Sequence, residues 1–298
     1  MVAFKTSPIK SIDGIPIFSE EDEYISNYNE ISSDHLSSVA ESGNNPFIEE
    51  ELWKDLENST IKLIEKIGKP VVKKSVVLDV GVGTGRLLEL LDAKQRYGID
   101  ISMQYLKKVK KLGINVVCSK VEDMPFEDSS FDIILATDII EHVLNLNDAI
   151  DQITRVLKPK GYFLFRVPYK EDIEPYLIEE YPYEFSHLRN FDMSTIRALF
   201  TRIFDYEIID HCFSSPYYKP NNAKLRLLSE NSPLFTLLRS NAVMEDKHPL
   251  NFLSKLAISQ EEVVTSIYDL RDKHPNWFKY IENYVAEPLE ISVLLQKK

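Results

Sequence analysis

Four groups of residues in this chain have types and spacings that do chemistry. The first is Asp79-Val80-Gly81-Val82-Gly83-Thr84-Gly85, which holds three of the chain's nine glycines. Glycine lets the backbone turn sharply and lets a ligand approach main-chain amides. One glycine suffices for a tight turn, so three at alternate positions point to a bound ligand. The second is Asp100, 19 residues after Gly81, a carboxylate able to accept hydrogen bonds from both hydroxyls of a ribose. Asp100 also reads as a helix N-terminal acid ahead of Ser102. The third is His142, in Asp138-Ile139-Ile140-Glu141-His142, and the fourth is His187, in Phe185-Ser186-His187-Leu188-Arg189. Histidine moves protons near neutral pH. Each of the two also reads as an ordinary hydrogen-bonded structural histidine.

Such residues need strands that end beside one another. From residue 75 the sequence alternates short apolar runs with helical patterns. SVVLDV, YGID, NVVCS, FDIILAT and GYFLFRV read as five strands. Gly85 to Leu91, Ser102 to Leu112 and Leu146 to Leu157 read as the helices between them. Asp192 caps a helix through Phe200, DYEIIDHCF is a sixth strand and LEISVLL a seventh. Ahead of these, Asn45 and Pro46 open a helix whose Leu52, Leu56, Leu63 and Ile67 share a face, with Gly68 closing it. The expected fold is α/β: a Rossmann-like, seven-stranded, mostly parallel sheet with helices on both faces, plus an inserted, mainly helical lobe. The expected boundaries are 1–44 for an N-terminal segment and cofactor lid, 45–216 for the core, 217–287 for the helical insertion and 288–298 for the final strand.

The glycine loop also speaks to the type of ligand. The dinucleotide fingerprint is G-x-G-x-x-G, and Arg86 occupies the place of its third glycine. The spacing here is G-x-G-x-G behind an acid. S-adenosylmethionine has no pyrophosphate to seat on a helix N-terminus; it has an ammonium, a carboxylate and a sulfonium. Asp79 suits the ammonium, and the glycine amides leave room for the methionine moiety.

GVGTGRLLELL, YGIDIS, VEDMPFEDSSFDIILATDIIEHV and RVLKPKGYFLFRVP, in that order, resemble the class I S-adenosylmethionine-dependent methyltransferases. More narrowly they resemble the small-molecule branch with the ubiquinone-type and sugar O-methyltransferases. The resemblance covers residues 74 to 215, with LEISVLL as the usual antiparallel last strand. It implies that Asp79, Gly81 and Gly83 hold the methionine end, that Asp100 holds the ribose and that Ile101 packs on adenine. It implies that Val121 and Glu122 meet the adenine edge and that Thr137 faces the sulfonium. Two positions depart from the family. Lys120 stands where an aspartate often receives the adenine amino group, and lysine cannot accept that bond; Glu122, Asp123 or a backbone carbonyl are the substitutes. Val82 is bulkier than the usual small residue between the first two loop glycines.

Methyl transfer from a sulfonium is an in-line displacement, governed mainly by positioning. An oxygen acceptor also benefits from a base, and His142 and His187 are the candidates. The loop from Tyr169 to Asn190, with four tyrosines and six acids, reads as an acceptor lid or as a solvated cover. Tyr24 and Tyr28 are placed to close over the cofactor. The 217–287 lobe reads as an acceptor cover or a homo-oligomer interface.

The chain has 298 residues, 44% of them hydrophobic, and a formal net charge of -12. That charge repels phosphate backbones, so nucleic acid is not an expected partner. Cys118 and Cys212 are too few for a disulfide framework or a four-thiolate metal site, which points to a reducing, cytoplasmic setting. No apolar run reaches the roughly 20 residues needed to span a bilayer. SIDGIPIF resembles the end of a small zinc ribbon fused to some methyltransferases, but its cysteine ligands are absent, so no metal is expected. The competing readings are an NAD-dependent oxidoreductase and a catalytically silent S-adenosylmethionine-binding partner subunit.

Overall fold

The computed structural model describes residues 2–42, 50–179, 181–214, 216–217, 273 and 287–298. The β-branched runs of the central segment become β3 (Val76–Val80), β4 (Gln95–Asp100), β5 (Asn115–Cys118), β6 (Phe131–Thr137) and β7 (Leu157–Pro168). They are nearly continuously apolar because both faces are covered. Along β6 the alternation divides two cores: Ile134 and Ala136 join one, Ile133 and Leu135 the other.

β4 lies beside β3, and β5 beside β4, both parallel; on the other side β6 pairs with β3 and β7 with β6, again parallel. The chain therefore reverses its direction of travel across the sheet between β3 and β6. Open α/β sheets bind ligands at that switch point, outside the carboxyl ends of the strands.

Helices α1 (Glu23–Ser42), α2 (Glu50–Ile67), α3 (Lys69–Lys74), α4 (Arg86–Glu89), α5 (Met103–Lys110), α6 (Leu146–Val156) and α7 (Met193–Arg197) complete the described core. On α2, Leu56, Leu63, Ile64 and Ile67 are buried; the Asn45–Pro46 start lies outside the described residues. α5 is capped by Ser102 and α6 by Asn145. On α7, Asp192 and Thr195 form a reciprocal capping box, after which Ala198–Ile203 widen into a π-helical turn. No gap separates α6 from β7: the strand starts at Leu157, not at Gly161 as the Lys-Pro-Lys-Gly stop suggested.

One feature departs from the reading of the sequence. The N-terminal stretch supplies strands β1 (Lys10–Ile12) and β2 (Ile15–Ile17). Asp13 and Gly14, at φ 53° and 68°, form the two-residue turn between them. Ile17 pairs with Cys118, so the sheet has nine strands among the described residues rather than seven. The last strand, β11 (Glu290–Lys297), is antiparallel as expected. It runs antiparallel between β7 and β8 (Tyr206–Phe213), and β8 is the edge. Their burial explains the order. β11 is buried from Glu290 through Leu295, whereas β8 alternates buried or half-buried with exposed residues and tolerates one open side.

The chain divides into two compact units, residues 1–215 with 290–298, and residues 216–289. In the second unit the described residues include an antiparallel pair, β9 (Pro216–Tyr217) with β10 (Glu287–Pro288). The helical patterns read between them lie outside the described residues.

Candidate functional site

The turn after β3 is built on glycine geometry. Gly81, Gly83 and Gly85 have φ of 68°, 50° and 81°, the left-handed region that side chains disfavour. Gly81 and Val82 donate their N–H groups to Ile99 O, at 2.8 and 3.1 Å, which ties the turn to β4. A Cβ at Gly83 would meet nothing within 4 Å, whereas one at Gly81 would strike Ile139. Val82 is 5% exposed and fits because its neighbour on β4 is Gly98, where any Cβ would come within 2.8 Å of it.

Asp100 ends β4. Its Oδ2 accepts from Gly83 N–H at 2.9 Å and its Oδ1 from Ser102 N–H at 2.8 Å. The carboxylate therefore both locks the glycine turn and receives the first amides after β4. With two lone-pair sites left, it retains capacity for ligand hydroxyls. Burial nevertheless pushes its pKa up against these hydrogen bonds.

Asp79 is 3% exposed, and its Oδ1 has no hydrogen-bond partner among the described residues. Burial first, then the charge of Asp100, raises its pKa well above the ordinary value, with Asp138 adding and Arg166 opposing. Arg166, on β7 and 3% exposed, is shared between Asp138 and Glu290: its Nε lies 3.1 Å from Asp138 Oδ1 and 2.6 Å from Glu290 Oε2. One buried cation thus stands among several acids.

These groups line a single cavity of about 670 Å³ at the switch point. Asp79, Gly81, Gly83, Asp100, Ile101, Val121, Glu122 and Thr137 all line it, as do His142 and His187. Tyr24 and Tyr28 of α1 form part of its wall, with Tyr176, Tyr181 and Tyr183 of the loop after β7. Asn27 fastens that loop to α1, its side chain bonding Phe185 O at 3.0 Å and Glu184 N at 3.1 Å. Lys120 turns its ammonium to Asp22, and Asp123 receives Ser19 Oγ at 3.2 Å. Of the acids near the family's adenine position, Glu122 is the one that lines the cavity. Arg86 is held bidentately by Glu57, at 2.8 and 3.1 Å.

The two histidines, 45 residues apart, meet with ring centroids 4.5 Å apart. The Phe185–Arg189 stretch docks on the turn after β6. Leu188 N–H donates to Glu141 O at 3.0 Å, and Arg189 donates to Ile140 O and Val143 O at 2.9 and 2.7 Å. His142 Nδ1 lies 3.2 Å from Ser186 O, and His187 Nδ1 rests on Glu171, which also accepts the Tyr176 hydroxyl at 2.7 Å. Burial, then the neighbouring His187, lowers the His142 pKa to about 3. Arg166 and Glu290 had no signal in the sequence, since each is polar within an unremarkable strand, and Glu171 was one of six acids in the Tyr169–Asn190 loop with nothing to distinguish it. Glu141 carried one: an acid within an apolar run after a strand.

The lining fits S-adenosylmethionine on two observations. The orphaned Asp79 Oδ1 is an acceptor awaiting a donor, and the acid-rich wall favours a cation over a dinucleotide's pyrophosphate. Residues 78–165 match the family model described as a methyltransferase domain. An uncharacterised protein of Methanocaldococcus jannaschii is 36% identical over 96 residues, which is 32% of this chain and 46% of that one. The malonyl-[acyl-carrier protein] O-methyltransferase of a Marinomonas species is 32% identical over 105 residues, 32% of this chain and 39% of that one. The chain spans about half the length of the curated relatives it matches. A solved S-adenosylmethionine-dependent methyltransferase of Thermotoga maritima shares the fold with a TM-score of 0.52 at 14% identity, covering 92% of this chain and all of that one.

Residues 78–165 thus form a methyltransferase domain, set in a fold shared with a solved S-adenosylmethionine-dependent methyltransferase, and the cofactor is S-adenosylmethionine.

Proposed function

We propose that this chain transfers a methyl group from S-adenosylmethionine to an oxygen or nitrogen of a sugar-like or natural-product-like small molecule. The observation that carries this reading is one cavity, lined by the glycine turn and acids at one end and by a paired histidine corner at the other. Asp79, Gly81 and Gly83 hold the methionine end, with Asp79 Oδ1 accepting the ammonium. Asp100 receives the ribose hydroxyls, Ile101 packs on adenine, and Val121 and Glu122 meet the adenine edge. Thr137, at the end of β6, faces the sulfonium. When bound, S-adenosylmethionine supplies an electrophilic methyl whose bond to sulfur breaks with the electron pair left on sulfur.

The protein's own part is to exclude water, align the acceptor and take its proton. Tyr176, Tyr181 and Tyr183 offer ring faces for stacking on the acceptor. The acceptor's proton passes to the Nε2 lone pair of His187 or His142. Glu171 behind His187 orients that ring as carboxylates orient catalytic imidazoles, which favours His187. His142, its pKa held low, remains neutral beside it. The acidic wall disfavours strongly anionic acceptors and nucleic acid. Among the described residues no helix is long and apolar enough to cross a membrane; a cytoplasmic setting and a homo-oligomer through residues 217–287 belong to the same proposal.

The test is transfer of tritium from labelled S-adenosylmethionine into a panel of hydroxylated and amine acceptors. His187→Ala is expected to lower turnover by roughly 10²–10⁴ while cofactor binding survives. Cofactor binding with no transfer to any acceptor would favour a silent binding subunit. NADH binding without S-adenosylmethionine binding would overturn the class of reaction.

A further inference from the structure

Glu141, His142 and His187 each offer one ligand atom, and the three atoms lie within 4.8 Å of one another in the cavity wall. Glu141 is 0% exposed, and both its carboxylate oxygens lack a hydrogen-bond partner among the described residues. Its Oε1 stands 3.9 Å from His142 Nε2, too far for a hydrogen bond. A carboxylate buried with nothing donating to it is costly, and this one faces two imidazoles.

The rings supply an independent observation. His142 Nδ1 lies 3.2 Å from Ser186 O, and His187 Nδ1 rests on the Glu171 carboxylate. An acceptor at each Nδ1 keeps the ring proton there and leaves Nε2 as a lone pair. Metal-ligating histidines are held in the same way, their second nitrogen donating to a carbonyl or carboxylate. Glu171 is itself anchored by the Tyr176 hydroxyl at 2.7 Å. The corner thus gathers a carboxylate and two lone pairs, and a cation is what would satisfy all of them.

We propose that Glu141, His142 and His187 bind a divalent first-row transition-metal ion at the acceptor end of the cavity. Two imidazoles and a carboxylate suit zinc, iron(II) or manganese(II). Ligand atoms on such an ion stand roughly 3–3.5 Å apart, so side-chain rotation closes the cluster without moving the backbone. Three protein ligands leave coordination positions open to the cavity. An acceptor hydroxyl occupies one of them; coordination lowers its pKa, and with both Nε2 lone pairs held by the ion in place of the base role given above, its proton leaves to solvent water as the oxygen takes the methyl. The inference rests on the cavity being a methyl-transfer site, and it narrows the acceptor to a hydroxyl-bearing molecule.

The test uses the full chain, stripped with chelator and dialysed, then titrated with Co²⁺. Visible absorption and calorimetry follow the metal, and S-adenosylhomocysteine binding is measured on the same samples. One equivalent of Co²⁺ is expected, displaced by Zn²⁺. Glu171→Gln, which only disturbs the orientation of His187, is expected to weaken it roughly 10–100-fold. Glu141→Gln, His142→Gln and His187→Gln are expected to weaken it further, with S-adenosylhomocysteine binding retained as the mark of a folded protein. No stoichiometric Co²⁺ binding, or binding unchanged in these variants, overturns the proposal. S-adenosylhomocysteine binding without Co²⁺ binding overturns the metal alone. Co²⁺ binding with the expected losses but without S-adenosylhomocysteine binding upholds the metal and overturns the methyl-transfer reading.

Discussion

Asp79 is buried and Asp100 half-buried, and they differ in what surrounds them. Asp100 takes hydrogen bonds from Gly83 and Ser102, while Asp79 Oδ1 takes none among the described residues. Asp100→Ala removes charge-assisted bonds to the ribose worth about 1.5–3 kcal/mol, so S-adenosylmethionine affinity is expected to fall by roughly tenfold to a hundredfold. Calorimetry on a folded variant checks this, and wild-type affinity would remove the ribose assignment. Asp79 carries a pH prediction. Burial, Asp100 and Asp138 raise its pKa and Arg166 lowers it. The folded chain therefore holds this proton to higher pH than the unfolded chain does. The stability this group contributes falls as pH rises from the ordinary aspartate value through the raised one. A cationic ligand favours the carboxylate, so S-adenosylmethionine is expected to bind more tightly as pH rises through that window, releasing a proton. Calorimetry in buffers of different ionisation enthalpy reads that proton directly; zero release, or affinity independent of pH, would contradict the pairing.

Among the elements, the β3–α4 turn depends on a residue in another strand. Val82 occupies space that only glycine leaves on β4, since a Cβ at Gly98 would lie 2.8–2.9 Å from Val82 side-chain atoms. Gly98→Ala is expected to destabilise the fold by about 1–3 kcal/mol through overpacking. Combining it with Val82→Ala is expected to recover most of that loss in urea denaturation. Simply additive losses would show that the two positions do not compete for one volume. The pairing accounts for a departure noted in the sequence, where Val82 replaces a smaller residue. The same dependence between elements explains what was legible. Strand runs and the glycine turn are local patterns and could be read; the meeting of His142 with His187 rests on Arg189 and Leu188 binding carbonyls far away in sequence.

In the whole molecule, residues 216–289 form a unit apart from the core, and the core strands that flank it end side by side. Ile291 pairs with Phe213, and Ser214 N–H donates to Glu290 O at 3.0 Å. A short turn in place of residues 217–287 therefore spans the gap without strain on β8 or β11. The excised protein is expected to fold and to bind S-adenosylmethionine, because, among the described residues, those that line the cavity lie outside the removed segment. Transfer to the native acceptor is expected to be lost or broadened. Circular dichroism, cofactor calorimetry and labelled-methyl transfer test the three parts separately. Unchanged transfer would exclude the segment from acceptor choice, and a smaller assembly on sizing would assign it to an oligomer interface.

The sequence by itself determined the alternation of strands and helices, the glycine turn and the acid at the end of β4, because each depends on neighbours within a few residues. It also held the Asp13-Gly14 hairpin turn, a local signal obscured by the polar residues around it. Only the tertiary structure decided the place of β11 inside the sheet, which follows from burial on both faces rather than from its own pattern. Only the tertiary structure gathered Asp79, Asp138, Glu141 and Glu290 around Arg166. Charges buried together are paired by folding across long stretches of chain, and no spacing along the sequence records which acid will share a cation.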